Sequence, residues 1–385
     1  MKIALATPIY PPEIGGPVAY VEELCKRISE RHEITVVAYT DVKTPIKNTR
    51  LISVSKRQPL PIRLTKFFLK IYQVSKKVDV IYVQNPMAAG LPVYLATLIT
   101  QKPFVVKFVG DEAWERARQN RRTEKTLEEF LKNPEGGIRT GLMMWVQKIV
   151  LNKASIVTTP SSYLRDEIIK TYKVPAERVV VNYNASERPL ILPFPPQKKR
   201  HQILTIARLV TWKGVDGLIK ALSVVKERFS DTTLIVAGDG PELENLRNLS
   251  KQLKLEDSIK FLGNVSKAEI WQLCMNSNVF VLNSAYEGLP HVILESFAAE
   301  LPVIATNISG TNEVVYHEKT GLLVDPGNPE SLAKAIERIF NNDTLAKSLS
   351  QNALKLLEEK FSWKAHLTKL ESILKSVLPK PRNKF

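Results

Sequence analysis

The stretch "ERPLILPFPPQKKRHQ", residues 187 to 202, decides how the rest of the chain is read. It places four prolines and three adjacent basic residues between two ordered patterns, which is the composition of an interdomain linker. Upstream of it, short β-branched runs alternate with helical stretches: "KIALATPIY", "GPVAYVEELCKRISE", "EITVVAYT", then "DVIYVQ", "LPVYLATLIT", "FVVKFVG" and "SIVTTPS". Downstream the alternation restarts with "ILTIAR", "VDGLIKALSVVKERF", "TTLIVAGDG", "IKFLGN", "VFVLNS", "HVILESFAAE" and "PVIAT". Each half therefore reads as a doubly wound, parallel α/β sheet. We expect domains at 1–190 and 200–361, with a last helix at about 362–380 whose apolar spacing suits packing back on the first.

The length of 385 residues agrees, since one core seldom organises so long a chain. A hydrophobic fraction of 44% and a charged fraction of 24% are ordinary for a soluble globular protein. The first apolar run is cut by proline and lacks a cleavage site, so no export is expected. The apolar run Ala88 to Ile99 falls short of the roughly 20 residues that span a bilayer, and it reads as a buried helix. The expected location is cytoplasmic. The two cysteines, Cys25 and Cys274, sit in separate halves within apolar helical patterns, which argues for core thiols. A formal charge of +16 favours an anionic partner.

Ligands of open α/β sheets bind outside the carboxyl ends of the strands. Two such sheets imply a cleft, with functional residues just after strands. Gly15 and Gly16 follow the first strand of the first half, Arg208 ends the first strand of the second, and Glu287 follows "VFVLNS". Arg208 and Lys213, with Gly214 behind, are two cations able to grip a diphosphate through charge-assisted hydrogen bonds. In "YEGLPHVILESFAAELPVIAT", residues 286 to 306, a helix starting near Pro290 turns its free first-turn N–H groups toward an anion. Glu295 then lies roughly 6 to 8 Å along the helix, in reach of a ribose diol, while Glu287 in the loop can accept from sugar hydroxyls. The ligand so described is a nucleotide diphosphate sugar.

The joint pattern of "GGPVAYVEEL", "IARLVTWKGVDGLIKAL", "VAGDGPELENL", "FLGNVSKAEIWQL", "NSAYEGLPHVILESFAAELPVIAT" and "GTNEVVYHEKTGLLVDPGNPESLAKAI" resembles the family-four retaining glycosyltransferases of the GT-B fold. The resemblance covers nearly the whole chain in the same order. It implies that Arg208 and Lys213 bind the donor diphosphate, that Glu295 binds ribose, and that Glu287 meets the donor sugar. Gly16, beside Gly15, resembles the glycine whose backbone approaches the phosphate or acceptor. Gly263, Asn264 and Val265 resemble the segment that reads the base. After Glu287 and Gly288, the family's amides correspond to Leu289, His291 and Val292, since Pro290 has no N–H.

Two departures stand out. Where many relatives carry a histidine near the sugar carbon, this chain reads "VKFVGDEAWERA"; Asp111 is the nearest candidate for a catalytic group, with an N-cap as its alternative role. Lys107 and Trp114 either shape an acceptor pocket or are structural. "VVVNYNASE" replaces a Pro-Asn-Gly turn, with Asn182 or Asn184 in its place. No D-x-D pair is evident and "GDGP" lacks the third glycine of a dinucleotide fingerprint, so neither a metal nor another cofactor is expected. For a retained configuration with no evident protein nucleophile, the resemblance implies front-face attack.

"KRQPLPIRLTKFFLKIYQVSKK", Lys56 to Lys77, mixes seven cations with aromatic and aliphatic residues, and "RARQNRRTEK", Arg116 to Lys125, adds a second basic run. Together they favour a lipid-linked or otherwise anionic acceptor met at the inner membrane face, while the first stretch reads alternatively as a helix packed on the first sheet. No nucleic-acid recognition module is present in the pattern. Two other readings stay open: a GT-B sugar-nucleotide epimerase, and a non-catalytic partner that keeps the fold.

Overall fold

A computed structural model describes residues 1–13, 15–188 and 200–379. Residues 189–199 of the expected linker lie outside the described residues. The chain divides into two compact units, one formed by residues 1–182 with the chain from Leu367 onward, the other by Tyr183–His366.

The first unit runs β1 (Lys2–Thr7), α1 (Gly16–Ile28), β2 (Glu33–Tyr39), β3 (Thr49–Val54), α2 (Leu60–Ser75), β4 (Val80–Val83), α3 (Gly90–Thr100) and β5 (Phe104–Lys107). It continues with α4 (Glu112–Gln119), α5 (Leu127–Lys132), α6 (Gly137–Lys153), β6 (Ile156–Thr159), α7 (Ser162–Tyr172) and β7 (Val179–Val181). The seven strands are parallel in the order β3-β2-β1-β4-β5-β6-β7. Because the chain reverses its direction of travel across the sheet after β3, α2, α3, α6 and α7 fall on one face. Their buried Phe67, Val93, Val150 and Leu164 pack there against Ala4, Val37, Ile81 and Val106 of the strands. Ser161 caps α7 by accepting from the Leu164 N–H.

The second unit holds β8 (Gln202–Ile206), α8 (Val215–Arg228), β9 (Thr233–Ala237), α9 (Leu243–Gln252), β10 (Ile259–Gly263), α10 (Lys267–Asn276) and β11 (Val279–Leu282). It ends with α11 (His291–Ala298), β12 (Val303–Thr306), β13 (Leu322–Val324), α12 (Pro329–Phe340) and α13 (Asp343–Lys360). The six parallel strands are ordered β10-β9-β8-β11-β12-β13. Central strands such as β11 are buried throughout, as runs of Val, Phe and Leu require when both faces are covered. One face takes α8, α9 and α12, the other α10, α11 and the end of α13.

The chain leaves the first unit at Asn182, whose N–H bonds the Thr159 carbonyl, before the proline-rich run is reached. It returns within α14 (Trp363–Ser376). Ahead of that return, the His366 Nδ1 lies 2.6 Å from the Tyr183 carbonyl oxygen, so the two crossing points are bonded to each other. Further along α14, the Glu371 carboxylate lies 3.2 Å from the Arg31 guanidinium that follows α1. Both cysteines are buried and free, and burial pushes the Cys25 thiol up to about 12.

Candidate active site

In the second sheet the strand order turns at β8 and β11, which are neighbours although β9 and β10 lie between them in sequence. A crevice forms at such a switch point because the loops leaving the two strands diverge to opposite faces. The loop after β8 carries Arg208 and Lys213, and the loop after β11 carries Glu287. The sequence motifs of this half therefore converge on one place.

These loops are laced together. The Ala285 N–H donates to the Trp212 carbonyl at 2.7 Å, and the Asn283 Nδ2 donates to the Gly214 carbonyl at 2.8 Å. Residues Thr211–Lys213 form a single 3-10 turn ended by Gly214 at φ 60°, where a Cβ would lie 2.1 Å from the Asn283 carbonyl oxygen. Only glycine satisfies both the dihedral angle and the approach. The turn points the Lys213 ammonium at Glu287, with Nζ 2.6 Å from Oε1. The Ser284 hydroxyl donates to the same Oε1 at 2.7 Å, and the Ser284 carbonyl is held in turn by the Thr306 hydroxyl. Among the described residues no hydrogen bond falls on Glu287 Oε2, which leaves that oxygen to accept from a hydroxyl group. Arg208 is exposed and is in no ion pair among the described residues.

Pro290 is the N-cap of α11, which begins at His291, and no side chain caps it. The first-turn N–H groups are thus open to an anion. The approach to α11 is fixed by Asn184, whose buried Nδ2 donates to the Leu289 carbonyl at 3.0 Å. Glu295 lies one turn into α11; burial pushes its carboxyl up from 4.5 to about 7, with Lys267 opposing the shift. Burial thus favours the protonated carboxyl, a preference that hydrogen-bond donors reaching the carboxylate would oppose. Gly263 ends β10 at φ 66°, its carbonyl accepting from the Gly238 N–H at 2.7 Å, and exposed Asn264 and half-buried Val265 follow at the same sheet edge. The "GDGP" turn after β9 braces the Arg208 loop, with the Leu209 N–H on the Asp239 carbonyl at 2.9 Å.

In the first unit Gly15, at φ 140°, caps α1, and Gly16 is its first residue; no side chain caps this helix either. The pair follows β1 at the β1/β4 switch point of that sheet. Asp111 is 1% exposed and is the N-cap of α4: its Oδ1 accepts from the Trp114 N–H at 2.9 Å, and its Oδ2 accepts from Gln147 at 3.3 Å and from the Tyr172 hydroxyl. Burial raises its pKa against those hydrogen bonds. The carboxylate expected to meet an acceptor hydroxyl is here engaged internally, and its observed role is the cap. Lys107 and Trp114 are interior as well: the Lys107 ammonium sits 3.2 Å from the Tyr20 ring centroid and the Trp114 indole donates to the Lys125 carbonyl at 3.0 Å. Both side chains are buried, Lys107 at 3% and Trp114 at 1% exposure.

Three contributors escaped the sequence reading. The run "VFVLNS" continues a strand pattern in sequence, yet β11 stops at Leu282 and the Asn283 and Ser284 side chains hold the loop. Gly310, at φ 83°, lies so close behind the site that a Cβ would come 2.2 Å from the Glu287 carbonyl oxygen. The short polar pair after a β-branched run was the available signal for the first two.

Residues 14–186 match the family model for Glycosyltransferase Family 4, and residues 192–356 match that for Glycosyl transferases group 1. An uncharacterized glycosyltransferase of Methanocaldococcus jannaschii is 27% identical over 94% of this chain and 95% of its own length. The alpha-D-kanosaminyltransferase of Streptomyces kanamyceticus is 27% identical over 75% of each. Among solved structures, Anabaena HepE in complex with UDP and glucose superposes with a TM-score of 0.79 at 22% identity, over 98% of this chain and 100% of that one. Two parallel-sheet units matched in order by both halves of the family, with this likeness of fold, make the chain a glycosyltransferase of group 1 with the GT-B fold.

Proposed function

We propose that the chain is a retaining hexosyltransferase that takes its sugar from a UDP- or GDP-sugar and places it on a hydroxyl of a glycan or lipid-linked acceptor, in envelope polysaccharide or glycolipid synthesis at a membrane face. The observation that carries this reading is the Lys213–Glu287 pair at the β8/β11 switch point, beside the uncapped start of α11. An ammonium, a guanidinium and a helix N-terminus in one crevice suit a diphosphate, with carboxylates at either side for hydroxyl groups. The UDP and glucose held by HepE, a protein of the same fold, are consistent with such a donor.

In this mechanism Arg208, Lys213 and the amides of Leu289, His291 and Val292 neutralise the diphosphate as the bond from the anomeric carbon to its oxygen breaks. Glu295 holds the ribose diol, and Gly263 to Val265 meet the base. Glu287 Oε2 fixes a sugar hydroxyl while Oε1 keeps Lys213 in place. The acceptor oxygen bonds the anomeric carbon on the face the diphosphate leaves, and the acceptor proton passes to the departing phosphate oxygen, so the configuration is retained. Positioning and electrostatics supply the acceleration without a protein nucleophile. Because cations and helix amides meet the leaving charge, the reaction is proposed to proceed without a metal. Gly15 and Gly16 offer backbone to the phosphate or the acceptor, and Asp111 acts by holding the start of α4.

A thermal-shift screen against UDP-, GDP- and ADP-sugars in EDTA tests the donor site. Stabilisation by one nucleotide family is expected. Failure of every sugar nucleotide to stabilise the protein contradicts the proposal.

A further inference from the structure

The first unit exposes apolar side chains on three neighbouring helices of one layer. On the sheet face that they cover, α2 packs on α3 and α3 on α6. Their inward residues build the core, yet Leu69 of α2, Leu98 and Ile99 of α3, and Ile138, Leu142 and Trp145 of α6 stand exposed. Ile138 is 92% exposed and Trp145 58%. Residues 138, 142 and 145 recur at helical spacing, so they form a stripe on the side of α6 opposite its buried Thr140, Gln147 and Leu151. A soluble surface tolerates isolated apolar residues, whereas contiguous ones mark a contact.

The charges on the same helices identify the contact. α2, α3 and α6 contain no Asp or Glu, while α2 carries Arg63, Lys66 and Lys70 and α6 carries Arg139, Lys148 and Lys153. Lys66, Lys70, Arg139 and Lys148 are exposed and form no ion pair among the described residues. By contrast, the basic run Arg116–Lys125 is largely neutralised, with Arg116 on Glu112, Arg118 on Glu124 and Lys125 on Glu135. That run therefore adds little to an anion-attracting face, although the sequence marks it as basic. Among the described residues no helix is long and apolar enough to cross a membrane.

We propose that the α2–α3–α6 layer is the surface by which this protein docks on an anionic phospholipid bilayer, with the apolar stripe entering the headgroup boundary and the lysines and arginines meeting lipid phosphates. This gives the membrane setting proposed above a specific face: it keeps the α2 part of the first basic run, sets aside the second, and adds residues of α3 and α6 that carry no such sequence mark. It rests on surface chemistry alone and is independent of the donor site.

The test is sedimentation of the full chain with vesicles of phosphatidylcholine alone and of phosphatidylcholine mixed with phosphatidylglycerol. Binding is expected to the anionic vesicles and to weaken as salt rises. Trp145 also reports the contact, because Trp114, Trp212, Trp271 and Trp363 are all buried. Its emission should shift to the blue on vesicle binding, and the shift should vanish in Trp145→Phe. Lys66→Ala with Lys70→Ala should weaken partition about 30-fold, at about 1 kcal/mol per cation. Leu142→Ser with Trp145→Ser should weaken it at least about tenfold, the loss of partly buried apolar area. Sugar-nucleotide stabilisation should be unchanged in both double variants, so failure here is distinguishable from failure of the donor site. Equal binding by wild type and variants, or no preference for anionic lipid, would overturn the proposal. So would a concentration-dependent dimer abolished by the α6 substitutions, which would give the stripe to a second copy of the chain.

Discussion

If Glu295 holds the donor ribose as proposed, it should couple donor binding to pH. Its carboxyl is pushed from 4.5 to about 7 by burial, a cost to the charged form of about 3 kcal/mol in the empty site. A ribose diol donating two hydrogen bonds to the carboxylate returns about that much, at roughly 1.5 kcal/mol or more for each bond to a charged group. Binding should then bring the pKa back toward 4.5 and release a proton near neutrality. With those two limits, affinity for a sugar nucleotide falls as pH drops below 7 and is roughly 70-fold weaker at pH 5 than at pH 8. The assay is calorimetric titration of UDP-glucose, or of whichever donor binds, in buffers of differing ionisation enthalpy. A sugar nucleotide is the right probe because its diphosphate has no terminal phosphate to titrate in this range. In Glu295→Gln the proton release should disappear and the pH profile flatten. The stability of the empty protein runs with the same sign: a raised carboxyl pKa contributes stability that is present below 4.5 and lost as pH rises through about 7. Glu295→Gln should therefore melt higher than wild type at pH 8 and similarly at pH 4.5, by at most a few degrees because the residue is partly exposed. Proton uptake on binding, or an unchanged pH profile in Glu295→Gln, would refute the placement of the diol on this carboxyl.

Gly310→Ala should lower the melting temperature and reduce donor binding together, since its Cβ would meet the Glu287 carbonyl oxygen 2.2 Å away at a φ of 83°; a wild-type melting curve would show that the loop relaxes freely. Asp111→Ala should cost about 2 to 4 kcal/mol in denaturant unfolding, from a lost cap and two buried donors left unpaired. Wild-type stability with abolished transfer would instead return Asp111 to the reacting groups. Arg208→Ala should weaken donor binding by about 1.5 to 3 kcal/mol with little change in melting temperature, because the residue is exposed and not ion-paired among the described residues. An equal loss of stability in denaturant unfolding would make Arg208 a structural residue.

The two sheets were legible because parallel strands buried on both faces must be apolar runs, as in "VFVL" and "VIYV", and because the alternation stops and restarts. The position of the crossing was less legible. Prolines mark residues 187–202 in the sequence, whereas the chain changes unit at Asn182, held there by its backbone N–H on the Thr159 carbonyl. Arg208, Lys213, Glu287 and Glu295 could be placed after strands and on a helix start, but not their partners. Which oxygen of Glu287 is occupied depends on Ser284, and where Lys213 points depends on a left-handed Gly214; both are properties of loop packing. Asp111 shows the converse. A buried carboxylate at a strand's end looks the same in sequence whether it faces a substrate or caps the next helix, and only Tyr172 and Gln147, far along the chain, decide where it points.

The proposed donor site requires the β8/β11 crevice to bind a nucleotide diphosphate sugar through Lys213. Calorimetric titration of wild type and Lys213→Ala with UDP-, GDP- and ADP-sugars in EDTA tests it most directly. Wild type should bind one nucleotide family, and Lys213→Ala should lose about 10- to 150-fold, the worth of one charge-assisted hydrogen bond, with the fold intact by circular dichroism. Equal affinity in the two proteins, or no binding of any sugar nucleotide to either, would contradict it.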